Sequence, residues 1–350
     1  MYKVGMYGGS FDPLHLGHIH DMIRAASMCE ELYIMISWCE GRESASKELR
    51  YRWIYNNVKH LPNVKIMLVE DKAVSKEEYN TDYYWENGAN DIKRLIGKRI
   101  DAVFCGSDYK GTNRFESLYC PESEVIYFDR AEVPISSTEI RDGGCSVFWD
   151  YLPPICRPHY VKRVLVVGGE STGKSTLVQN LAIAYNTNFV REVGRETCEM
   201  AGGEEYMSVD DLYENFVRQK AEEIAATKHS NRILFIDTDA LTTKFYAQFL
   251  LNSDDEKLKC NALADAISDI NRFDLVLFLE PTVKWVQDGT RNDEIALNRE
   301  IFSEQIKNLF RERGIEFESI DGDYVQRFDT AKKLIFERFG IKTIFHSTSN

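Results

Sequence analysis

One glycine-rich stretch near the middle of the chain carries the residue types that bind phosphate groups. It covers positions 168 to 176 and reads Gly-Gly-Glu-Ser-Thr-Gly-Lys-Ser-Thr. Gly168 and Gly173 allow the backbone to turn so that its N–H groups surround phosphate oxygens. Lys174 can reach the terminal phosphates, and the Ser175 hydroxyl can ligate Mg²⁺. This spacing predicts a P-loop that binds a nucleoside triphosphate. The other loop residues expected to contact it are Gly169, Glu170, Ser171, Thr172 and Thr176.

The residues on either side of the loop supply the elements that must position it. A run rich in β-branched residues, 161–167, comes before it, and an apolar-periodic run, 177–182, follows. The order strand, glycine-rich turn, helix is the context that the motif requires, and the helix N-terminus adds the positive end of its dipole. This context favours a P-loop over a chance glycine-rich turn.

A second candidate site lies at the start of the chain. A strand-like run, 2–7, leads into a glycine- and proline-containing loop that ends at the start of a helical pattern. His15 and His18 are three residues apart there, so both imidazoles can face one point above a helix N-terminus. A polyphosphate suits them better than a metal, because no carboxylate or third histidine completes a ligand set. The residues predicted to contact the nucleotide are Gly8, Gly9, Ser10, Phe11, His15 and His18.

A third motif, Ile-Ser-Ser-Thr-Glu-Ile-Arg at 135–141, predicts a short helix that begins with hydroxyl caps and carries an arginine one turn later. With the H-x-G-H string it resembles the nucleotidyltransferase superfamily, most closely the nicotinamide-mononucleotide adenylyltransferase branch. The resemblance implies that His15 and His18 stabilise charge on the α-phosphate of ATP. It also implies that the β- and γ-phosphates are held by Ser137, Thr138 and Arg141.

Three more residues of the first half are candidates for binding. Ser107 lies in a small-residue turn after a predicted strand, where α/β sheets present ligand-binding backbone. Trp85 is a candidate for stacking on the nicotinamide ring, and packing in the core is an equally good interpretation. Arg50 is divided in the same way between substrate binding and a structural role.

Beyond the P-loop, charged residues follow two predicted strands. After the first of these, Glu192 could accept a hydrogen bond or proton from a ribose hydroxyl, and Arg195 could hold a phosphate or carboxyl group. A solvated charged loop is the alternative. The run 232–239 is Walker-B-like, so Asp237 is predicted to hold Mg²⁺. Asp239 is predicted to face the same rim and to contact the substrate. Capping of the following helix is the alternative interpretation for Asp239.

A polar segment between the predicted strand 274–279 and the predicted helix 295–313 resembles the lid of small-molecule kinases. Its Arg291 is the natural cation to stabilise a transition state there. The catalytic base of this half stays open among Glu192, Asp237 and Asp239.

The alternation of strand and helix patterns predicts an α/β protein with two doubly wound parallel sheets. The first would be a Rossmann-like nucleotidyltransferase domain with the H-x-G-H motif, and the second a P-loop kinase domain. Proline and aromatic residues mark a packed linker between them. The expected ranges are 1–147 for the first domain, 148–160 for the linker, 161–340 for the second domain and 341–350 for a loose tail.

Composition restricts the remaining possibilities. The chain has 350 residues and a formal net charge of −13, which argues against general binding to nucleic acid or anionic membranes. Its eight cysteines lack C-x-x-C spacing and histidine partners, so reduced thiols are expected and structural zinc is not. Charges interrupt every hydrophobic run, so we expect no membrane span and a cytoplasmic location.

The two motif sets in this order resemble the NadR-type bifunctional family, in which a nicotinamide-nucleotide adenylyltransferase is joined to a ribosylnicotinamide kinase. The resemblance implies ATP as co-substrate, Mg²⁺ as cofactor, and ribosylnicotinamide, nicotinamide mononucleotide and NAD as ligands. Some members carry an N-terminal helix-turn-helix repressor domain. At most two residues, Met1 and Tyr2, precede the first predicted strand, so we expect no DNA binding. Homo-oligomer formation stays open.

Two other functions remain compatible with the motifs. A phosphopantetheine adenylyltransferase joined to a dephospho-coenzyme-A kinase would show the same two superfamily signatures. A nucleotide-sensing regulatory protein with one degenerate site is the other alternative.

Overall fold

A computed structural model of the chain describes residues 1–79, 81–129, 132–285 and 298–344. It divides into two compact units, Met1–Arg157 and Pro158–Asn350. The division falls within a short helix, α7 (Arg157–Tyr160), inside the stretch predicted as a linker. Trp149, Leu152 and Cys156 precede this point and are buried, so the aromatic stretch is packed.

The first unit is built on a five-stranded sheet in the order β3-β2-β1-β4-β5, in which every neighbouring pair is parallel. Its strands are β1 (Tyr2–Gly9), β2 (Cys29–Trp38), β3 (Val64–Glu70), β4 (Ala102–Gly106) and β5 (Glu124–Phe128). Its helices are α1 (Leu16–Met28), α2 (Lys47–Val58), α3 (Lys76–Tyr79), α4 (Asp82–Ile96), α5 (Arg114–Tyr119) and α6 (Ser137–Gly143). The chain reverses its winding direction between β1 and β4, and ligands of such sheets bind outside the strand ends at that point.

The second unit repeats this architecture with the strand order β10-β9-β6-β8-β7, again parallel throughout. Its strands are β6 (Lys162–Gly168), β7 (Phe189–Val190), β8 (Ile233–Asp237), β9 (Leu275–Leu279) and β10 (Glu318–Ile320). Its helices are α8 (Lys174–Ala184), α9 (Val193–Ala201), α10 (Val209–Thr227), α11 (Ala240–Leu250), α12 (Asp254–Ile270), α13 (Arg299–Glu312) and α14 (Tyr324–Phe339). The residues 164–167 of the central strand are fully buried, as expected for a parallel sheet covered on both faces.

The predicted strands 2–7, 161–167 and 274–279 agree with β1, β6 and β9 to within two residues at each end. Two differences are informative. The charged residues after β7 form helix α9 rather than a solvated loop. The predicted loose tail is packed at its start, because Ile341 is buried and the Ile344 N–H donates to the Ala184 carbonyl over 2.9 Å.

Two further features concern the cysteine thiols and the length and polarity of the helices. All eight cysteines are free. Among the described residues, every helix is too short or too polar to cross a membrane.

Candidate nucleotide-binding and catalytic sites

In the first unit, a cavity of about 610 Å³ opens at the point where the sheet reverses its winding. The end of β1, the start of α1, the start of α6 and the inner face of α4 contribute its walls. The predicted site residues that line it are Gly8, Gly9, Ser10, Phe11, His15, His18, Trp85, Ser137, Thr138 and Arg141. Segments separated by more than 100 residues in sequence therefore converge on one cavity.

The two histidines are fixed by a reciprocal cap at the start of α1. The Nδ1 atom of His15 accepts from the His18 N–H at 3.4 Å, and the Nδ1 atom of His18 accepts from the His15 N–H at 3.5 Å. Their rings stack with centroids 3.6 Å apart, and Phe11 packs edge-on against His18 at 5.0 Å. The cap fixes both imidazoles at a helix N-terminus, where they can face an anionic ligand.

The third motif is bonded directly to the first loop. The Ser137 hydroxyl donates to the Pro13 carbonyl at 3.1 Å. Arg141 donates to the Asp12 carbonyl and to the Thr138 hydroxyl, the latter at 3.1 Å. These bonds place the residues predicted to contact the α-phosphate beside those predicted to contact the β- and γ-phosphates, on one rim of the cavity.

The structure corrects the substrate-binding prediction for Arg50. Its side chain is 1% exposed, and its guanidinium donates to the carbonyls of Ser10, Ser37 and Ala45 at 2.5, 2.9 and 3.0 Å. Arg50 therefore holds the loop after β1 and does not line the cavity. Buried Asp12 completes this support, since its carboxylate accepts from Ser44 N–H, the Ser44 hydroxyl and Ala45 N–H. The sequence analysis did not assign a role to Asp12.

Trp85 lies at the aromatic end of the cavity. Its ring packs edge-on against Phe115 at 5.5 Å and tilted against Tyr79 and Tyr109 at 5.4 and 5.9 Å, while the Arg114 guanidinium lies 4.8 Å above it. Its indole N–H is buried and meets no hydrogen-bond acceptor among the described residues. Trp85 thus packs in the core and also borders the cavity, and its stacking on the nicotinamide ring stays a prediction.

Ser107 begins a single helical turn directly after β4, one residue beyond Gly106, and it is Gly106 that lines the cavity. The Ser107 carbonyl accepts from the Lys110 N–H at 3.0 Å, which closes that turn. Its predicted ATP contact stays a prediction.

In the second unit, the loop 168–176 connects β6 to α8 as predicted. Gly168 has φ +149°, and a Cβ there would lie 2.6 Å from the Leu279 carbonyl oxygen, so only glycine fits. Gly173 caps α8 with φ +85°. Lys174 is 7% exposed, and its ammonium donates to the Gly168 and Gly169 carbonyls at 3.2 and 3.1 Å. The Lys174 ammonium is therefore held in place by backbone carbonyls of its own loop.

Two arginines that the sequence analysis did not predict hold the outer side of this loop. Arg327 is 1% exposed and donates to the carbonyls of Thr172, Glu280 and Gly322, the last at 2.9 Å. Arg299 donates to the Ser171 carbonyl at 3.2 Å. Because these bonds use the loop carbonyls, they favour an orientation in which the loop N–H groups face inward.

Asp237 ends β8 beside the central strand β6. It is buried, it accepts from the Ser175 hydroxyl, and the Thr238 hydroxyl lies 3.3 Å from its Oδ1. Burial, and then the negative charge of Glu192, raise the pKa of Asp237 to about 6, while Lys174 opposes the shift. A hydroxyl and a carboxylate that is costly to ionise fit a divalent cation, which would relieve that cost.

Glu192 and Arg195 lie at the start of α9. Glu192 occupies the N-cap position without a hydrogen bond from its side chain to the helix, and it is close enough to influence the Asp237 carboxyl. Arg195 is exposed on the first turn of the helix. Glu192 thus lies near the predicted metal ligand Asp237.

Asp239 takes the role that the alternative interpretation gave it. Its Oδ1 accepts from the Thr242 N–H and hydroxyl at 3.1 and 3.0 Å and so caps α11. Burial raises the pKa of this carboxyl to about 6. Its Oδ2 is buried and meets no hydrogen-bond partner among the described residues, and a substrate contact or a role as catalytic base stays a prediction. Arg291, the predicted lid cation, lies outside the described residues.

Glu170 of the loop lies beside Tyr246 of α11, a contact that the sequence does not suggest. Burial, followed by the charges of Glu170, Glu192 and Glu204, raises the pKa of the Tyr246 hydroxyl far above its usual range. The hydroxyl is therefore neutral and available as a hydrogen-bond donor near the loop.

Comparison with known proteins matches each unit to one family. Residues 6–143 match the cytidylyltransferase-like family, and residues 163–327 match the AAA domain family. A crystal structure of NadR protein in complex with NR superposes with a TM-score of 0.79 at 24% identity, over 99% of both chains. A second one, in complex with NAD and AMP-PNP, gives 0.78 at 23% identity over 98% of both chains. The predicted fold class is thereby confirmed.

Sequence relatives fall into two groups. The chain is 30% identical over 351 residues to the trifunctional NAD biosynthesis/regulator protein NadR of Escherichia coli (strain K12). The aligned region covers 96% of this chain and 83% of the relative. It is 37% identical over 144 residues to the phosphopantetheine adenylyltransferase of Streptococcus pneumoniae (strain 70585), which covers 40% of this chain and 82% of that relative. The first similarity extends over both units and the second is confined to a stretch of less than half the chain.

Proposed function

Since the chain belongs to the NadR family, as its motifs predict, we propose that it is a bifunctional enzyme of NAD salvage. The second unit phosphorylates ribosylnicotinamide with ATP to nicotinamide mononucleotide. The first unit joins the mononucleotide to the adenylyl group of another ATP and releases pyrophosphate, which yields NAD. The observation that carries this proposal is the similarity to a NAD biosynthesis protein along 96% of the chain, with both phosphate-binding motifs intact.

For the first unit, the geometry supports catalysis by positioning and charge stabilisation. The mononucleotide phosphate attacks the α-phosphorus of ATP, and the bond to pyrophosphate breaks, so no protein nucleophile is required. His15 and His18 stabilise the charge on the α-phosphate, while Thr138 and Arg141 hold the leaving pyrophosphate. The aromatic end of the cavity around Trp85 takes the nicotinamide base.

For the second unit, Lys174 and the loop N–H groups bind the ATP phosphates. Ser175 and Asp237 would hold Mg²⁺, which would neutralise negative charge on the phosphates when bound. Among the described residues, no group of three or more His, Cys, Asp and Glu side chains gathers as a metal site. Mg²⁺ typically takes one or two carboxylates together with substrate phosphates. Glu192 accepts the proton of the attacking ribose hydroxyl.

Incubation of the chain with ribosylnicotinamide, ATP and Mg²⁺, with mononucleotide, NAD and pyrophosphate followed over time, tests the proposal. Mononucleotide is expected first, then NAD and pyrophosphate in equal amounts. Supplied mononucleotide should yield NAD without a lag. A chain that converts neither nicotinamide substrate would contradict the proposal.

The same assay separates the alternative enzyme. A phosphopantetheine adenylyltransferase joined to a dephospho-coenzyme-A kinase would use phosphopantetheine and dephospho-coenzyme A in place of the nicotinamide substrates. The similarity to phosphopantetheine adenylyltransferases favours it for the first unit only, because it covers 40% of the chain. A panel of all four acceptors with ATP therefore distinguishes the two functions in one experiment.

We also propose that the chain acts on small molecules alone and does not bind DNA. Its net charge of −13 opposes the phosphate attraction on which DNA affinity depends. An electrophoretic shift of duplex DNA at low salt would contradict this. The cytoplasmic location stays a prediction.

A further inference from the structure

Gln219 of α10 contacts two elements that end in the proposed kinase site. Its Nε2 donates to the carbonyls of Asp237 and Thr238 at 3.1 and 3.3 Å, and its Oε1 accepts from the Val193 N–H at 3.0 Å. The partners fix the orientation of the amide, since two carbonyls require the NH₂ group and an N–H requires the oxygen. One side chain thus joins the end of β8 to the start of α9.

At α9, this contact replaces a cap that Glu192 does not make. Val193 supplies the first N–H of the helix, which has no partner within the helix itself. An acidic N-cap residue commonly turns its carboxylate back onto its own helix. Glu192 makes no such bond, and the helix start is tied through Val193 to Gln219 instead. The Glu192 carboxylate is thereby not committed to capping its own helix.

At β8, Gln219 holds the turn that aims Asp237. Thr238 follows Asp237 with φ +68°, in the left-handed region that β-branched residues rarely adopt. Such a conformation persists only where its surroundings determine it. Here the Thr238 N–H donates to the Val166 carbonyl at 3.1 Å, and the Thr238 carbonyl accepts from Gln219.

We infer that Gln219 is a positioning residue of the kinase reaction, which fixes the proposed base Glu192 relative to the proposed metal ligand Asp237. It touches neither reacting group, because its bonds go to the backbone at Val193, Asp237 and Thr238. This inference rests on the kinase function proposed above.

Gln219→Leu removes all three bonds, and Gln219→Glu keeps an acceptor for Val193 while it removes both donors. For each, kcat of ribosylnicotinamide phosphorylation is expected to fall about tenfold or more, since displacement of a reacting group by about 1 Å costs up to 10²-fold. KM for ATP should change less than about twofold, because the P-loop is untouched. Gln248→Leu, on an exposed position of α11, is the matched control and should retain full activity.

A double-mutant cycle separates positioning from general loosening of the unit. If Gln219 acts through Glu192, Gln219→Leu should cost less than about threefold in a Glu192→Gln background. Independent, multiplicative losses in the cycle would overturn the inference. Should Gln219→Leu fail to fold, by loss of its thermal transition, the nearly isosteric Gln219→Glu carries the same comparison.

The adenylyltransferase activity of the first unit is an internal measure of protein concentration in every variant, and the thermal transition of the second unit reports its folding. A wild-type chain that does not phosphorylate ribosylnicotinamide would refute the kinase function itself. A wild-type chain that phosphorylates it, with Gln219→Glu equally fast, would refute only the role of Gln219.

Discussion

The two proposed ATP sites hold their phosphate-binding groups in different ways. In the first unit, the pair His15 and His18 comes from one segment and Arg141 from another, and all three line a cavity of about 610 Å³. In the second unit, the cation Lys174 folds back onto the carbonyls of its own loop. The first site is shaped by distant segments that meet, whereas the second is a local loop whose cation already has partners. Binding of ATP at the second site must therefore exchange internal hydrogen bonds for phosphate contacts.

The carboxylates of the two sites differ as well. In the first unit, Asp12 is buried but accepts three hydrogen bonds from the loop around Ser44, so it serves the structure. In the second unit, burial raises the pKa of both Asp237 and Asp239 to about 6. Charge is thus costly in the second site in the absence of a cation, and the variants below test this contrast.

The largest effect is expected for Lys174→Met. Loss of the ammonium removes the main cation from the ATP phosphates, and the kinase rate should fall about 10³-fold. The rate of NAD formation from supplied mononucleotide should not change, because that reaction belongs to the first unit. Lys259→Met, an exposed position on α12, is the control. Loss of both activities in a folded Lys174→Met protein would contradict separate sites.

His18→Ala makes the converse test. It removes one imidazole from the α-phosphate and half of the reciprocal cap with His15, so the adenylyltransferase rate should fall about 10²-fold. Phosphorylation of ribosylnicotinamide should continue, and mononucleotide should accumulate in the coupled assay. His60→Ala, an exposed position after α2, serves as the control. An unchanged rate of NAD formation would exclude His18 from the reaction.

The sequence alone predicts the parts of each site that are local in the chain. The P-loop and the two histidines are recognisable because strand, turn and helix follow one another within about twenty residues. Arg327, Arg299 and Gln219 escape such reasoning. Arg327 meets Thr172 across 155 residues and Arg299 meets Ser171 across 128, so no spacing in the sequence indicates either contact.

For some single residues, the sequence is compatible with two roles and does not decide between them. Arg50 and Asp239 both have the charge expected of a binding residue, but Arg50 donates to nearby backbone carbonyls and one carboxylate oxygen of Asp239 accepts from Thr242. Charge and position along the chain do not distinguish these roles, because the difference depends on which groups the fold places around the side chain. Trp85 packs in the core at the edge of the cavity, a position that is compatible with either role.

Arg327→Lys tests how far the P-loop depends on its outer support. A lysine keeps the charge but loses the planar fork that reaches the Thr172, Glu280 and Gly322 carbonyls at once. The kinase KM for ATP should rise about tenfold, and the thermal stability of the second unit should fall, because buried carbonyls lose their donors. The adenylyltransferase kinetics should not change. Arg338→Lys, an exposed position on α14, should have no effect on either activity.

The smallest effect concerns the buried carboxyl of Asp239, whose folded pKa of about 6 lies above its usual 3.8. Because burial favours the protonated form, this group destabilises the fold above pH 6, and the penalty disappears as the pH falls from 6 toward 4. Asp239→Asn keeps an N-cap acceptor for Thr242 and removes the charge. This shift in pKa corresponds to a loss of at most about 3 kcal/mol in the free energy of unfolding above pH 6.

The charge of an N-cap carboxylate also interacts favourably with the dipole of α11, which offsets part of that penalty. We therefore expect Asp239→Asn to raise the free energy of unfolding at pH 8 by about 1 kcal/mol and to have little effect near pH 4. Denaturant unfolding of both proteins at the two pH values measures this difference. A raised KM for ribosylnicotinamide without a gain in stability would instead indicate that Asp239 contacts the substrate. Asp239 would then share that function with Glu192.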